Sequence, residues 1–393
     1  MDELSRLLAL SEGERRERGL VHTPREIRQQ PDTWRRTFEK FSAAADGVRD
    51  FLARAGLSAD ESIRPSVYLV GAGTSDYIGR ALASLLRREW RCEVQAVPST
   101  DLLTEMDDYV IPGRPYLWVS FSRSGDSSEG VAVVEAALER HPTVHHLIVT
   151  CNGAGRMARE FDGRSNVLLF VLNDAVNDRG LAMTSSFSNM LVAGQCLAHA
   201  RDLALYGQVV EELAACAEGF LGPGSDAAAR LAAERFKKFC FLGTGALRAV
   251  AVESALKVVE LTAGRVYTWS ESFLGVRHGP LSAVDAETLV VGFLSGDGRR
   301  RAYELDLLRE VKAKGLAGGI VAVWSGRESE AGEFGASLSL GLVEGFDDLY
   351  RPPLDVIFGQ LLGLFSSLSE GLKPDTPSPK GAISRVVAGV QIH

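Results

Sequence analysis

The stretch Val119-Ser-Phe-Ser122-Arg123-Ser124-Gly125-Asp-Ser127-Ser-Glu129 determines the fold class of this chain. The apolar residues 116–119 before it predict a buried strand, and residues 131–138 after it predict a helix. The turn between them therefore joins the carboxyl end of a strand to the amino end of a helix. Open α/β sheets bind their ligands at such positions.

The side chains of this turn predict a phosphate site. Helix N-termini present unpaired N–H groups and partial positive charge to anions. The turn adds the hydroxyls of Ser122, Ser124 and Ser127 and the Arg123 cation, and a phosphate monoester can use that many donors. The alternative interpretation is an ordinary serine-rich surface turn in which Ser127 or Ser128 caps the helix.

A second turn of this kind comes earlier in the chain. A predicted strand at 66–70 is followed by Gly71-Ala-Gly73-Thr74-Ser75-Asp76 and a predicted helix. Glycines between a strand and a helix suggest dinucleotide binding, but Asp76 stands where that fingerprint has its third glycine. We therefore expect no nucleotide cofactor, and we expect Thr74 and Ser75 to add hydroxyls at a helix N-terminus.

The strand–helix pattern occurs twice. Further strands are predicted near 94–98, 147–150 and 167–171, with helices between them, as in a mostly parallel, flavodoxin-like sheet flanked by helices. At an offset of 172 residues, Val70-Gly-Ala-Gly73 corresponds to Leu242-Gly-Thr-Gly245, and Val119-Ser-Phe121 corresponds to Val291-Gly-Phe293. We predict an α/β protein with an N-terminal helical segment, 1–48, and two tandem domains, 49–221 and 222–393, joined by a linker at Gly222–Asp226.

Differences between the copies predict where the ligand binds. Leu247 stands in the second copy where Ser75 stands in the first, and Leu294 corresponds to Ser122. The second copy has therefore lost phosphate-type hydroxyls. We expect one anion pocket per chain, in the first copy.

Composition excludes several classes of function. The chain has 393 residues and a formal net charge of −8, which argues against nonspecific nucleic-acid binding and against an anionic membrane surface. Its five cysteines are scattered without a CxxC pair, as is typical of reduced thiols in a cytoplasmic protein. We see no metal-ligand cluster, no signal-type N-terminus and no apolar run of about 18 residues.

The second copy carries charged groups suited to acid–base chemistry. Glu253, Lys257 and Glu260 share one face of a predicted helix. They would form either a solvated ion-pair face or, because their neighbours are apolar, a charged group directed into a cleft, where a glutamate could move a proton. His278 precedes Gly279-Pro280, which predicts the start of a further helix and a histidine held neutral beside its N-terminus.

Taken together, these motifs resemble the sugar isomerase (SIS) family. The Gly71–Ser75 and Ser122–Ser127 turns resemble its phosphosugar-binding motifs, and Glu253–Glu260 with Arg277-His278-Gly-Pro resembles the isomerase unit of glucosamine-6-phosphate synthase. Taken whole, the chain is most similar to the tagatose-6-phosphate ketose/aldose isomerase branch, also described as galactosamine-6-phosphate deaminase/isomerase. The Glu26–Trp34 stretch, residues 182–187 and the Lys373-Pro-Asp segment carry that similarity.

The resemblance implies roles for individual residues. The phosphate would be held by Ser75, Ser122, Arg123, Ser124 and Ser127, and the sugar would lie at Gly73, Thr74, Ala182, Met183 and Thr184. Glu260 would move a proton between C1 and C2, with Lys257 close by, and His278 would assist ring opening, in its own site or the partner subunit's. Two positions depart from the synthase: Arg123 replaces an uncharged residue, and its near-terminal lysine has no clear counterpart except Lys380.

The implied activity is conversion of a 2-amino-2-deoxyhexose 6-phosphate, with galactosamine 6-phosphate favoured, to a ketose 6-phosphate and ammonia by a cytoplasmic homodimer without cofactor. Plain aldose–ketose isomerisation, a fructosamine-6-phosphate deglycase and a phosphosugar-binding regulator without catalysis remain alternatives.

Overall fold

Two units make up the structure, a computed structural model that describes residues 1–58, 64–326, 332–378, 381–386 and 390–392. The first-sheet unit comprises Thr33–Asn177, Ser185–Val210 and Ser384–His393. The second-sheet unit comprises Met1–Asp32, Asp178–Thr184 and Glu211–Ile383. Both units are built from discontinuous segments. The domain boundaries after residues 48 and 221 stay a prediction.

The chain begins with four helices, α1 (Glu3–Leu8), α2 (Glu12–Arg18), α3 (Thr23–Arg28) and α4 (Gln30–Leu52). Pro24 lies in the first turn of α3, where its missing N–H costs no hydrogen bond. A short π-helical turn, Ala53–Leu57, extends α4 and contains Gly56 at φ +89°.

The first-sheet unit is built on five parallel strands. They are β1 (Ser66–Gly71), β2 (Val94–Pro98), β3 (Tyr116–Ser122), β4 (His145–Thr150) and β5 (Val167–Val171), in the order β2-β1-β3-β4-β5. The helices of this unit that follow α4 are α5 (Thr74–Trp90), α6 (Ser99–Tyr109), α7 (Ser128–Arg140), α8 (Arg156–Phe161) and α9 (Ser185–Ala198). Every residue of β1 and β3 is buried, as expected for central strands covered by helices on both faces.

The second-sheet unit repeats this topology. Helix α10 (Ala204–Ala233), which begins in the first-sheet unit, leads to β6 (Lys238–Leu242), α11 (Ala246–Leu261), β7 (Tyr267–Glu271), β8 (Thr288–Phe293), α12 (Gly298–Ala313), β9 (Gly319–Trp324), β10 (Ala336–Ser339) and α13 (Pro352–Ser369). The strand order β10-β9-β8-β6-β7 is the first sheet's order read from the other edge, and all the pairings are parallel. The predicted flavodoxin-like fold and the internal repeat are therefore confirmed.

Two local predictions are wrong. Residues 222–226 are not a linker, because α10 continues through them with Pro223 inside it. No regular α-helix follows His278; single 3₁₀ turns at Gly275–His278 and Pro280–Ala283 flank Gly279, whose φ is +129°. The argument that a helix N-terminus keeps His278 neutral therefore loses its basis.

None of the helices formed by the described residues is both long enough and apolar enough to span a membrane.

Candidate active site

Both serine-containing turns of the first sheet lie at its switch point. The chain moves from β1 to β2 on one side and continues from β3 to β5 on the other, so strand order reverses between β1 and β3. These neighbouring strands are parallel, with Val70 opposite Ser120. The turns that follow them, at 72–75 and 123–127, therefore share one edge of the sheet, where doubly wound folds bind ligands.

The first of these turns is tight because it is built on glycine. A Cβ on Gly71 would lie 2.4 Å from the carbonyl carbon of Ser75. Gly73 has φ +55°, a conformation that favours glycine. Directly after it, Thr74 and Ser75 begin α5 and are both buried, which places their hydroxyls at the helix N-terminus.

In the second turn the serine hydroxyls shape the backbone. Ser122 Oγ accepts the Gly125 N–H at 3.0 Å, and Ser124 Oγ accepts the Asp126 N–H at 3.1 Å. Gly125 makes the turn possible with φ +64°. Because each hydroxyl oxygen accepts within the turn, its proton remains able to donate to an anion.

Ser127 does not have the contact that the simple capping interpretation requires. It occupies the N-cap position of α7, but its side chain makes no capping hydrogen bond. Its hydroxyl is half-buried at the same helix N-terminus, so it can face a ligand.

The Arg123 cation is held by the C-terminal segment. Arg123 is buried, and its guanidinium donates to the backbone carbonyl of Arg385. The Arg385 guanidinium in turn donates to Asn177 Oδ1 at 2.5 Å. Two arginines thus lie beside the serine turn, whereas Lys380, the weak counterpart of the synthase lysine, lies outside the described residues.

Asn152 is a supporting residue that the sequence reasoning missed. Its Nδ2 donates to the Ser124 carbonyl at 2.8 Å and to Asp126 Oδ2 at 3.3 Å, which braces the serine turn. Its position two residues after β4, at the same edge of the sheet, was the signal that could have identified it.

The corresponding turn of the second sheet has the same Ser–N–H hydrogen bond, but a carboxylate of the chain itself is bound to it. Ser295 Oγ accepts the Asp297 N–H at 3.1 Å, the same bond that Ser124 makes. The hydroxyl of Ser295 donates to Asp348 Oδ2, and the N–H of Gly296 donates to Asp348 Oδ1 at 2.7 Å. A carboxylate of the chain itself therefore occupies donors that a phosphate could use.

A buried arginine neutralises that internal carboxylate. Arg351 is fully buried and donates to Asp348 at 2.9 Å and to Asp355 at 2.8 Å. Burial alone would lower the pKa of Arg351, but the two aspartates raise it, so the cation is retained. That the chain has one anion pocket, in the first copy, stays a prediction.

The charged trio of α11 is largely withdrawn from solvent. Lys257 Nζ lies 3.2 Å from Glu253 Oε1 and 2.5 Å from Glu260 Oε2. The side chains of Glu253 and Lys257 are 0% exposed, while that of Glu260 is 21% exposed. The solvated ion-pair face is thus wrong, and Glu260 is the member of the trio that a ligand can reach.

Lys257 remains a cation in spite of its burial. Burial lowers its pKa, but the negative charges of Glu253 and Glu260 outweigh that effect, and the pKa is raised overall. A fixed ammonium therefore holds the Glu260 carboxylate in one position, which suits a group that must meet a particular substrate atom.

The predicted sugar residues Ala182, Met183 and Thr184 belong to the same unit as this trio, in the loop Asp178–Thr184. The Thr184 carbonyl accepts a hydrogen bond from Gln360 of α13 at 3.3 Å. One turn further along α13, a Cβ on Gly363 would lie 3.2 Å from the Lys257 carbonyl oxygen. Helix α13 thus contacts both the 178–184 loop and the helix that carries Glu260.

Thr184 has a buried hydroxyl with an unused bonding capacity. The residue is 0% exposed, and its Oγ1 has no hydrogen-bond partner among the described residues. Buried polar atoms without a partner are rare in native proteins.

His278 lies apart from these contacts. It is exposed, in the turn that follows β7. Its neighbour Arg277 pairs with Glu310 at 3.0 Å. The structure therefore gives His278 no described contact with Lys257 or Glu260.

Comparison with known proteins identifies relatives of the whole chain. The SIS domain family model matches residues 62–200. A Streptomyces coelicolor relative, provisionally named D-galactosamine-6-phosphate deaminase AgaS, is 40% identical over 95% of both chains. The D-galactosamine-6-phosphate deaminase AgaS of Escherichia coli is 37% identical over 94% of this chain and 95% of that one.

A solved structure agrees with these sequence matches. The crystal structure of tagatose-6-phosphate ketose/aldose isomerase from Escherichia coli is 34% identical, covers 94% of this chain and 96% of its own, and superposes with a TM-score of 0.84. The resemblance drawn from the sequence motifs is confirmed.

Proposed function

Because the chain belongs to the SIS-domain family of sugar-phosphate proteins, we propose that it converts galactosamine 6-phosphate and water to tagatose 6-phosphate and ammonia. The observation that carries this proposal is the Glu260 carboxylate, partly exposed and fixed by the buried Lys257 ammonium. The identity of 37% to a D-galactosamine-6-phosphate deaminase over nearly the full length supports the choice of substrate.

The phosphate is assigned to the first sheet. Ser75, Ser122, Ser124 and Ser127 donate hydroxyl protons to it, and the Arg123 cation balances its charge. This assignment is supported by the position of both turns at the switch point and by the internal carboxylate at the equivalent turn of the second sheet. The family resemblance assigns Gly73, Thr74 and Ala182–Thr184 to the sugar.

The proton transfer is assigned to Glu260. After ring opening, assisted by His278, the open-chain substrate carries an aldehyde at C1 and an amine at C2. Glu260 removes the C2 proton, the electron pair of that C–H bond forms the C1=C2 bond, and the carbonyl pair moves to O1, which takes a proton from water to give an enolamine. The same carboxyl then returns a proton to C1 while the nitrogen lone pair forms the C2=N bond and one N–H proton passes to water, which gives a C1 alcohol and a C2 imine.

Hydrolysis completes the reaction. Water adds to the C2 imine, the C–N bond breaks, ammonia leaves and the C2 ketone forms. The Lys257 cation lies close enough to Glu260 to keep the carboxylate oriented through both proton transfers. Donors that face the developing oxyanion on O1 would lower the barrier further.

The test is ammonia release by purified protein from galactosamine 6-phosphate, glucosamine 6-phosphate and fructosamine 6-phosphate, measured side by side. We expect ammonia from galactosamine 6-phosphate at the highest kcat/KM. Ammonia from fructosamine 6-phosphate alone would instead indicate a deglycase.

One other activity has a specific observation in its favour. The relative of known structure is named a tagatose-6-phosphate ketose/aldose isomerase, and plain isomerisation would use the same proton transfer. Interconversion of aldose and ketose phosphates without ammonia release from any amino sugar would favour it.

We also propose that the protein is a cytoplasmic homodimer. Tyr267 on the edge strand β7 is 62% exposed, and Leu274 in the following turn is 50% exposed. The exposed His278 lies in the same turn region. A second copy covering this surface would bury the apolar side chains and could receive His278 in its own site.

A further inference from the structure

The loop Asp178–Thr184 is shaped by acidic side chains from distant parts of the sequence. It follows the first sheet's last strand in sequence but belongs to the second-sheet unit. Helix α3 and the segment after α13 both supply carboxylates to its surroundings in that unit. The reaction described above uses none of these carboxylates.

Glu26 of α3 makes the central contact. Its carboxylate is 5% exposed and accepts the N–H groups of Arg179 at 2.5 Å and of Gly180 at 3.2 Å. Gly180 leaves no room for a side chain, because an added Cβ would lie 2.9 Å from Thr23 Oγ1 and 3.0 Å from Glu26 Oε2. The helix therefore packs directly on the loop backbone.

Asp375, in the segment after α13, holds the start of α3 in place. Its Oδ1 accepts both the N–H and the hydroxyl of Thr23 at 2.8 Å, and its Oδ2 accepts the N–H of Val21 at 2.7 Å. Its backbone carbonyl accepts the N–H of Leu181 at 3.2 Å. Helix α3, the loop and the C-terminal segment thus form one hydrogen-bonded cluster.

The far end of the loop is tied to α13. Asp178 Oδ2 accepts the Thr184 N–H at 2.8 Å, and Gln360 donates to the Thr184 carbonyl. Gln360 Oε1 accepts in turn from Gln30 at 2.8 Å. The backbone around Ala182–Thr184 is therefore fixed at both ends.

We propose that Glu26 is a positioning residue for the sugar, which holds the 178–184 loop in its binding conformation when neutral and loosens it when ionised. The proposal rests on the proposed function in one respect, the assignment of Ala182–Thr184 to the sugar. The clamp on the loop backbone does not depend on that assignment.

The electrostatic surroundings give the expected pH range. Burial, together with the facing carboxylates of Asp178 and Asp375, raises the pKa of Glu26 to about 8, against the opposing effect of the Arg179 and Gly180 N–H groups. In the unfolded chain the pKa of a glutamate is about 4.3. The stability that Glu26 contributes is therefore full below about pH 4 and is lost as the pH rises through about 8.

Hydrogen exchange of the peptide containing 178–184 tests the clamp without any substrate. After correction for intrinsic exchange, we expect protection in the wild-type protein to fall by up to about tenfold per pH unit between about pH 4 and pH 8 and to level off above pH 8, because within that range Glu26 ionises only when the loop opens. Glu26→Gln keeps an acceptor and cannot ionise, so its protection should not change with pH. Glu304→Gln is the matched control, because Glu304 is also buried and accepts the Ser295 N–H, at a different turn.

Binding of tagatose 6-phosphate, measured by calorimetry from pH 5 to 9.5, tests the positioning role. This ligand lacks the amine whose own titration would complicate the comparison. We expect its Kd to rise with pH up to about pH 8 and then to level off in the wild-type protein and in Glu304→Gln, relative to Glu26→Gln at the same pH. In turnover, the same change should be seen in KM more than in kcat.

Equal pH dependence of exchange in the wild-type protein and Glu26→Gln would overturn the proposal. If the wild-type protein and Glu26→Gln differ in the pH dependence of exchange but not in that of Kd, Glu26 has only a structural role and its positioning role is overturned. Absence of ammonia release from every variant, with the exchange difference present, would instead overturn the proposed function and leave the clamp intact.

Discussion

At the scale of single residues, Ser124 and Ser295 show how one turn can serve two purposes. Each hydroxyl oxygen accepts an N–H from two residues ahead at 3.1 Å. The Ser295 hydroxyl then donates to Asp348, a group of the chain itself. In our account the Ser124 hydroxyl donates to the substrate phosphate, so the two serines form a matched pair for mutation.

We expect Ser124→Ala to raise KM for the sugar phosphate by about tenfold or more, because a hydrogen bond to a charged group contributes about 1.5–3 kcal/mol. Ser295→Ala should leave KM unchanged and lower the free energy of unfolding by about 1–3 kcal/mol, since Asp348 loses a partner. Steady-state kinetics and urea unfolding measure both. An equal rise in KM in the two variants would contradict the assignment of the phosphate to the first sheet.

Sequence could identify Ser124 but not Asp348, for a physical reason. Ser124 lies in a local pattern, strand then turn then helix, and such patterns are visible in one chain. Asp348 reaches the second turn from 52 residues beyond Gly296, and that contact exists only after folding. The hydrogen bond between Glu26 and Gly180 could not be predicted from the sequence for the same reason, because it joins residues far apart in the chain.

At the scale of elements, the packing of α11 against α13 sets the position of Lys257 and Glu260. A Cβ on Gly359 would lie 2.1 Å from Ser254 Oγ and 2.9 Å from Ser254 Cα. The helices are therefore in backbone contact at this point, one turn before Lys257. This close approach explains why α13 carries glycines at 359 and 363.

We expect Gly359→Ala to reduce the free energy of unfolding by about 1–3 kcal/mol, since the added methyl forces the helices apart. Gly219→Ala in α10 is the control, because a Cβ there meets nothing within 4 Å. That variant should be neutral or more stable by up to about 1 kcal/mol. Urea unfolding that ranks the two variants in the opposite order would contradict the proposed backbone contact.

The errors in the predicted elements also have a local cause. Gly222-Pro-Gly-Ser favours a break in the chain by propensity, yet α10 continues through it. Tertiary packing can override a weak local preference, and Ser225 and its neighbour Ala228 are fully buried. The helix predicted after His278 is wrong for the opposite reason. There the local signal of Pro280 favoured a helix, but Pro280 begins only one 3₁₀ turn.

At the scale of the whole molecule, the two copies of one fold carry different sets of polar residues. Both sheets have the order of a flavodoxin-like fold, and the offset of 172 residues already indicated this from the sequence. One copy retains the serine-containing turns to which we assign the phosphate. The other carries the buried lysine and its two glutamates, for which the sequence had left open a solvated face or a group directed into a cleft.

The proposed homodimer has a predictable mass in solution. Light scattering should give about twice the chain mass of 42.4 kDa, because the exposed Tyr267 and Leu274 would be covered by a second copy. Tyr267→Asp should shift the mass toward that of a monomer. A wild-type protein that is monomeric at assay concentrations would contradict this assembly.

The central claim is that Glu260 moves the proton in an ammonia-releasing isomerisation. Its most direct test is ammonia release from galactosamine 6-phosphate by the wild-type protein and by Glu260→Gln, with sugar-phosphate binding followed by calorimetry. We predict steady ammonia release by the wild-type protein, and a variant that loses turnover by about 10²-fold or more but binds the sugar phosphate nearly as well. Ammonia release by Glu260→Gln at the wild-type rate, or loss of binding together with turnover, would contradict the account.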